Sequence, residues 1–253
     1  MTILLITPQR KVLGREAPLR TTRPKDKPTK TQLSGSFDFT PFSDDKVINT
    51  LEQLLQELDQ NMNFQGFEHK VVHAAHGIAS ELTYLHESGI AHRDLKPANI
   101  LVSNKHYAGA SPEDVAKQFP EKPVIVKLTD FGESRGTTVF QAPEIHTLSA
   151  TSKSSMESLQ QIDIWAFGMV LWCLTNADLG FPYLAEMEEA LTAGTVRNQT
   201  AFVIGLLTQG SLPKQSNKYL DQKQGIWMNV DQIMSSCLKH VSEERISALE
   251  ATI

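Results

Sequence analysis

Apolar positions fall into two long helical stripes, a pair of short strand-like runs and one segment that is apolar on every side. In the first stripe Val47, Ile48, Leu51, Leu54, Leu55 and Leu58 share a face at a spacing of about 3.6 residues. The pattern predicts a helix opened by Ser43 as N-cap, with Asp44 and Asp45 at its positive end and Asn61 and Asn63 marking its close. The second stripe, Val71, Val72, Ala75, Ile78, Leu82 and Leu85, predicts a helix from Phe67 to Glu87 that stops at Gly89 as its C′ residue. Ile100 to Ser103 and Val124 to Leu128 read as strands of a hairpin, with an insertion at 104–122 that holds a helical turn at Pro112 to Phe119. From Ser158 to Leu174 the chain is apolar nearly all round, the mark of a buried central helix, and Asp163 is the exception on it. Further helices are expected at Leu184 to Ala193 and Val230 to His240, a loop from Leu206 to Ser216, and the start of a last helix at 247–253.

Residues 7–36 show no such period. They carry Pro8, Pro18, Pro24 and Pro28 among threonines and lysines and read as a disordered basic leader, which puts the domain division at 1–36 and 37–253. Charge sharpens that division. Residues 1–36 hold eight Lys and Arg against Glu16 and Asp26, a balance of +6, which leaves −11 for the rest of a chain whose net charge is −5. No nucleic-acid partner is expected from so acidic a body, and the leader reads as a solvated tail. Cys173 and Cys237 are the only cysteines, too few for a disulfide framework. The apolar run Ile3 to Ile6 is too short for a signal sequence, and no stretch approaches the ~18 apolar residues of a membrane span. These features together lead us to expect a cytoplasmic protein. His69, His73, His76 and His86 lie on or near the second helix, but no H-E-x-x-H pattern or cysteine supports a metal there.

The stretch with the most chemistry is His92-Arg93-Asp94-Leu95-Lys96-Pro97-Ala98-Asn99, immediately before the first strand. Asp94 is a carboxylate able to take a proton from a hydroxyl nucleophile. Lys96 is a cation able to neutralise charge on a transferring phosphoryl group. Asn99 offers a hard amide oxygen of the kind Mg²⁺ prefers, and Pro97 stiffens the segment between them.

That run resembles the catalytic loop of eukaryotic-type protein kinases, and four further elements follow in the family's order: Asp130-Phe131-Gly132, Ala142-Pro143-Glu144, Asp163-Ile164-Trp165-Ala166-Phe167-Gly168, and Arg245 near the C-terminus. Lys96 within D-L-K-P-x-N is similar to Ser/Thr-directed members, and the wording from Asp163 to Trp172 to the tyrosine-kinase-like group. The resemblance covers roughly residues 37–253 and is to the C-terminal lobe alone. It implies a mainly α fold: a kinase-like C-lobe helical domain with short β-hairpins around the catalytic loop. It also implies ATP and Mg²⁺ as cofactors, with Asp94 as base, Lys96 on the γ-phosphate, Asn99 and Asp130 as metal ligands, Leu101 as the floor beneath adenine, and Thr137 or Thr138 beside Asp94 and Lys96. Asp163 is expected to accept from catalytic-loop amides and Glu144 to pair with Arg245.

Two departures from the family temper the expected activity. No two glycines stand two residues apart, so G-x-G-x-x-G is absent, and the V-A-I-K-like Val124-Ile125-Val126-Lys127 is the strand leading to Asp130, which makes Lys127 an outward strand residue. Only residues 133–141 separate D-F-G from A-P-E. The expected function is that of a protein kinase catalytic region that phosphorylates Ser or Thr of a protein substrate, weak or inactive as this chain. The alternative is a pseudokinase or lobe-like binding module that docks on a partner kinase. A small-molecule phosphotransferase fits less well, because A-P-E belongs to a protein-substrate platform.

Overall fold

The computed structural model describes residues 50–61, 68–103, 110–118, 121, 124–130, 137–147, 155–222 and 225–252. The fold is mostly helical with one small sheet, as the resemblance implies. The expected Ser43 cap, the basic leader, and Phe131 and Gly132 lie outside the described residues.

Helix α5, Met156–Thr175, is the axis of the core. Ser155 caps it, its Oγ accepting the Ser158 N–H at 3.1 Å, and every residue from Asp163 to Thr175 is buried. No single helix among the described residues is long and apolar enough to cross a membrane, and the apolar surface of α5 is covered by its neighbours. Helix α9, Ile226–Cys237, packs against α5 at Gly168. A Cβ there would sit 2.7 Å from the Leu238 side chain and 2.9 Å from Cys237 Cβ. Both neighbours are core side chains with little room to move, so Gly168→Ala is expected to lower stability by about 1–3 kcal/mol through overpacking, despite alanine's better helix propensity. Chemical denaturation of the variant checks this, and an unchanged midpoint would contradict it.

Helix α1, Leu51–Asn61, starts later than the apolar stripe predicts. Thr50 and Gln53 form a reciprocal cap, the Gln53 N–H donating to Thr50 Oγ1 and the Thr50 N–H to Gln53 Oε1, both at 3.3 Å. This T-x-x-Q box fixes the start, and Thr50 also bridges to Leu101. Helix α2, Glu68–Glu87, ends as expected. Gly89 adopts φ +71°, and the N–H groups of Ile90 and Gly89 return to the carbonyls of Leu85 and His86 at 2.9 and 3.0 Å.

Strands β1, Ile100–Ser103, and β2, Ile125–Leu128, pair antiparallel with Ile100 opposite Leu128. Ile100, Val102, Val126 and Leu128 point into the core, and α2 packs so close to β2 that Gly77 is needed beneath Val126. Lys127 faces outward, as expected, and forms an ion pair with Glu81 of α2. Helix α3, Pro112–Gln118, occupies the insertion and is capped by Ser111. Short helix α4, Pro143–Thr147, carries Glu144. Helix α6, Leu184–Thr192, matches expectation.

Two expectations for the C-terminal half are corrected, and one helix is added. Residues Gln199–Thr208 form helix α7, so the loop expected from Leu206 begins later. Asn198 caps α7 by accepting the Ala201 N–H at 3.0 Å, and Val203 and Leu207 are buried. Helix α8, Asn217–Gln222, was also not foreseen. Residues 248–251 form only hydrogen-bonded turns, closed by Ser247 and Glu250, in place of the expected last helix.

Candidate active site

The C-terminal stop of α2 delivers the chain directly to His92. There the backbone is held by a side chain seventy residues away: Asp163 of α5 accepts the His92 N–H through Oδ2 and the Arg93 N–H through Oδ1, each at 2.7 Å. Arg93 takes φ +71°, a left-handed conformation that a non-glycine residue adopts at a cost of about 1–2 kcal/mol. The two charge-assisted bonds to Asp163 offset that cost. Asp163 is fully buried, and His86 Nε2 donates to the same Oδ2 at 3.0 Å. Sequence reasoning assigns His86 no role, because nothing in local spacing joins a histidine of α2 to an aspartate of α5.

Asp94 follows, almost buried, with its Oδ2 accepting from Lys96 Nζ at 2.9 Å and from Asn99 Nδ2 at 3.0 Å. The same Asn99 Nδ2 also donates to the Asp94 carbonyl at 2.8 Å. Lys96 is extended, and Pro97–Asn99 form a single 3-10 turn with proline at its first position, where its missing N–H leaves nothing unsatisfied. The three residues expected to act together, Asp94, Lys96 and Asn99, are therefore one hydrogen-bonded group.

The hairpin brings Asp130 to the same place. The Thr129 N–H donates to the Asn99 carbonyl at 3.0 Å, and Asp130, exposed and at φ +59°, is the next residue. Both donors of the Asn99 amide are turned to Asp94, which leaves Oδ1 as its ligating atom. Asn99 Oδ1 and the Asp130 carboxylate are the oxygens that could serve a divalent cation here, on residues that the hairpin makes backbone neighbours. Among the described residues no group of three or more His, Cys, Asp or Glu could hold a metal. A small oxygen-ligand set suits Mg²⁺, which is commonly held by one or two side chains plus substrate phosphates. Leu101, 41% exposed, lies on the outward side of β1 beside this group.

A small cavity lies between Arg93, Asp94 and Leu95 on one side and Thr137, Phe140 and Gln141 on the other. Thr137 precedes the 3-10 turn Thr138–Phe140 and reaches this cavity, yet neither Thr137 nor Thr138 hydrogen-bonds to Asp94 or Lys96 among the described residues. Behind the cavity Arg245 holds Glu144 of α4 through two parallel bonds of 2.7 and 2.8 Å. Its remaining donors reach the carbonyls of Lys239 and Gln161 at 2.8 and 2.9 Å, and its guanidinium lies 5.1 Å over the Trp165 ring. The bridge expected between Glu144 and Arg245 is therefore present, buried on the arginine side and partly exposed on the glutamate side.

Burial holds the His92 imidazole below its ordinary pKa of 6.5, although Asp163 opposes the shift, and burial does the same for His146 of α4. In the unfolded chain each takes a proton near pH 6.5, before the folded form does. Their contribution to stability is full above that pH and declines as pH falls through it toward the folded values. The denaturation midpoint is expected to drop between pH 7.5 and 5.5, less steeply in a His146→Gln variant. A midpoint that holds steady over that range would contradict the assignment.

The model of the protein kinase domain matches residues 45–252. Among curated proteins the chain is similar to "Probable serine/threonine-protein kinase fhkE" of Dictyostelium discoideum, 29% identical over 175 residues, covering 62% of this chain and 22% of that protein. It is 32% identical over 122 residues to human "Mitogen-activated protein kinase kinase kinase 13", covering 48% of this chain and 11% of that protein. To "Serine/threonine-protein kinase SBK1" of Danio rerio it is 30% identical over 158 residues, covering 58% and 34%. The chain thus spans about a third or less of the length of these relatives. The solved structure titled "Crystal structure of Rad53 kinase domain and SCD2" shares its fold, with TM-score 0.53 and 20% identity over 80% of this chain and 58% of that one. The chain belongs to the protein kinase family.

Proposed function

We propose that this chain transfers the γ-phosphate of ATP to a Ser or Thr hydroxyl of a protein substrate, slowly when acting alone. The observation that carries the reading is the Asp94 carboxylate, clamped by Lys96 and Asn99 into one hydrogen-bonded group. The substrate hydroxyl enters beside Asp94. Its oxygen forms the new bond to the γ-phosphorus, the bond from that phosphorus to the β-γ bridging oxygen breaks, ADP leaves, and Asp94 accepts the hydroxyl proton. Lys96 has three N–H donors, so it can hold Asp94 with one and offset charge on the transferring group with another. Mg²⁺, held by Asn99 and Asp130, supplies charge neutralisation on the phosphates when bound. Leu101 gives an apolar floor for the base. The Ser/Thr preference is supported by Lys96 and by relatives named as serine/threonine kinases.

The test is phosphate incorporation into a mixed protein substrate from Mg·ATP, compared between the chain and Asp94→Asn. Removing the proton acceptor is expected to lower the rate by about 10²–10⁴-fold. Incorporation that survives in Asp94→Asn would refute the mechanism. Nucleotide binding without Asp94-dependent incorporation would favour the binding-module reading.

A further inference from the structure

The outward side of the β1–β2 hairpin sets an apolar residue beside a cation. Leu101 and Lys127 stand directly opposite each other in the register of the two strands, and both are exposed. Ile100, Val102, Val126 and Leu128, on the other side, are buried. Directly opposed residues share one face of a sheet, with Cβ atoms about 4.5–5.5 Å apart. We propose that Lys127 is a nucleotide-contact residue: it leaves Glu81 and donates from Nζ to the phosphate chain of the nucleotide whose base lies on Leu101. This contact rests on the proposed function, which puts the base on Leu101 and the divalent cation at Asn99 and Asp130.

Spacing along the strands sets what the lysine can reach. Asn99 lies two residues before Leu101, about 7 Å away at the usual strand rise. The bond from the Thr129 N–H to the Asn99 carbonyl carries the same register as far as the cation site. With its base on Leu101 and its outer phosphates on that cation, a nucleotide crosses the gap with its ribose and α-phosphate. Lys127 flanks the gap one strand away, about 5 Å to the side. Its flexible stem is long enough to lean across that distance.

The present partner of Lys127 holds it weakly. Its Nζ pairs with Glu81 of α2, but the lysine side chain is 62% exposed and the glutamate 29%. Water and salt compete for a pair so exposed, which makes it a weak tie. A polyphosphate carries more negative charge than one carboxylate, and a lysine ammonium meets it as a point charge on a mobile stem. Glu81 therefore parks the lysine in the free chain, and a nucleotide draws it away. The parked fraction lowers the apparent affinity for nucleotide, because only the released lysine is competent to bind.

Calorimetric titration of the full chain with Mg·ATP tests the contact. Lys127→Gln keeps an N–H donor and loses the charge, and is expected to weaken binding about fivefold to tenfold. Lys127→Arg keeps the charge and is expected to stay within about threefold of the parent. Glu81→Gln frees the lysine and is expected to tighten binding about twofold to fourfold, a gain that vanishes when Lys127→Gln is added. Both side chains reach solvent, so neither substitution disturbs the core. Affinity within about twofold of the parent in Lys127→Gln would overturn the proposal. So would a Glu81→Gln gain that persists in the double variant, which marks long-range charge alone. If the parent binds no Mg·ATP at millimolar concentration, the contact falls together with the nucleotide site. Binding that Asp130→Ala abolishes and Lys127→Gln leaves intact overturns the contact and spares the site. If the Lys127 dependence holds while no Asp94-dependent transfer is seen, the proposed function fails and the contact stands.

Discussion

Arg245→Ala is expected to destabilise the fold by about 3–5 kcal/mol, the usual effect of removing one partner of a buried ion pair. The Arg245 guanidinium is fully buried and its donors serve Glu144 and the carbonyls of Lys239 and Gln161. Alanine strands the Glu144 carboxylate, takes a donor from the carbonyls of Lys239, Gln161 and His240 and opens a void over Trp165. Net stabilities of about 5–15 kcal/mol are typical, so a large part of the total is at stake. Arg245→Lys keeps the charge but cannot make the paired bonds, and is expected to recover only part of the loss. Denaturant titration followed by tryptophan emission checks both, since Trp165 lies directly under the guanidinium. A loss below about 1 kcal/mol in the alanine variant would show that the bridge behaves as an exposed pair.

The second large effect is expected at Asp163. Asp163→Ala removes the acceptor for three donors, His86 Nε2, His92 N–H and Arg93 N–H, in a place sealed from water. Each buried donor left without a partner costs about 1–3 kcal/mol, so a total loss of about 3 kcal/mol or more is expected even if one donor finds another partner. The effect also reaches the chemistry, because the bond to Asp163 restrains the left-handed Arg93 and Asp94 adjoins it. Denaturant titration gives the stability, and nucleotide affinity gives the site. A variant that keeps parental stability would contradict the account of Asp163 as the anchor of the loop.

Much of this was legible in the sequence because the family's chemistry is local. Asp94, Lys96 and Asn99 lie within six residues, and a turn opened by Pro97 is enough to bring them together. Asp163 was legible in part for another reason: a carboxylate on an otherwise apolar helix must have donors, while which donors it takes, and the pairing of Glu144 with Arg245, followed only from the resemblance to protein kinases. The start of α1 was misread because the apolar stripe extends before Thr50, while the T-x-x-Q box that stops the helix there is a hydrogen-bond signal, to which periodicity is blind. Helix α7 was missed because Ala201-Phe202-Val203-Ile204-Gly205-Leu206-Leu207 is apolar on all faces and carries a glycine, so no period distinguishes helix from strand. His86 was missed for want of any local signal: its partner lies 77 residues away and only the packing of α2 on α5 brings them together.

The central claim is that Asn99 and Asp130 share one divalent cation beside Asp94. Paramagnetic broadening by Mn²⁺·ATP tests it most directly, observed at the Asn99 side-chain amide of the full chain. The account predicts that this resonance broadens at Mn²⁺·ATP concentrations that leave remote amides sharp, and that Asp130→Ala removes the effect. An Asn99 amide that stays sharp at saturating Mn²⁺·ATP, or broadening that persists unchanged in Asp130→Ala, would contradict it.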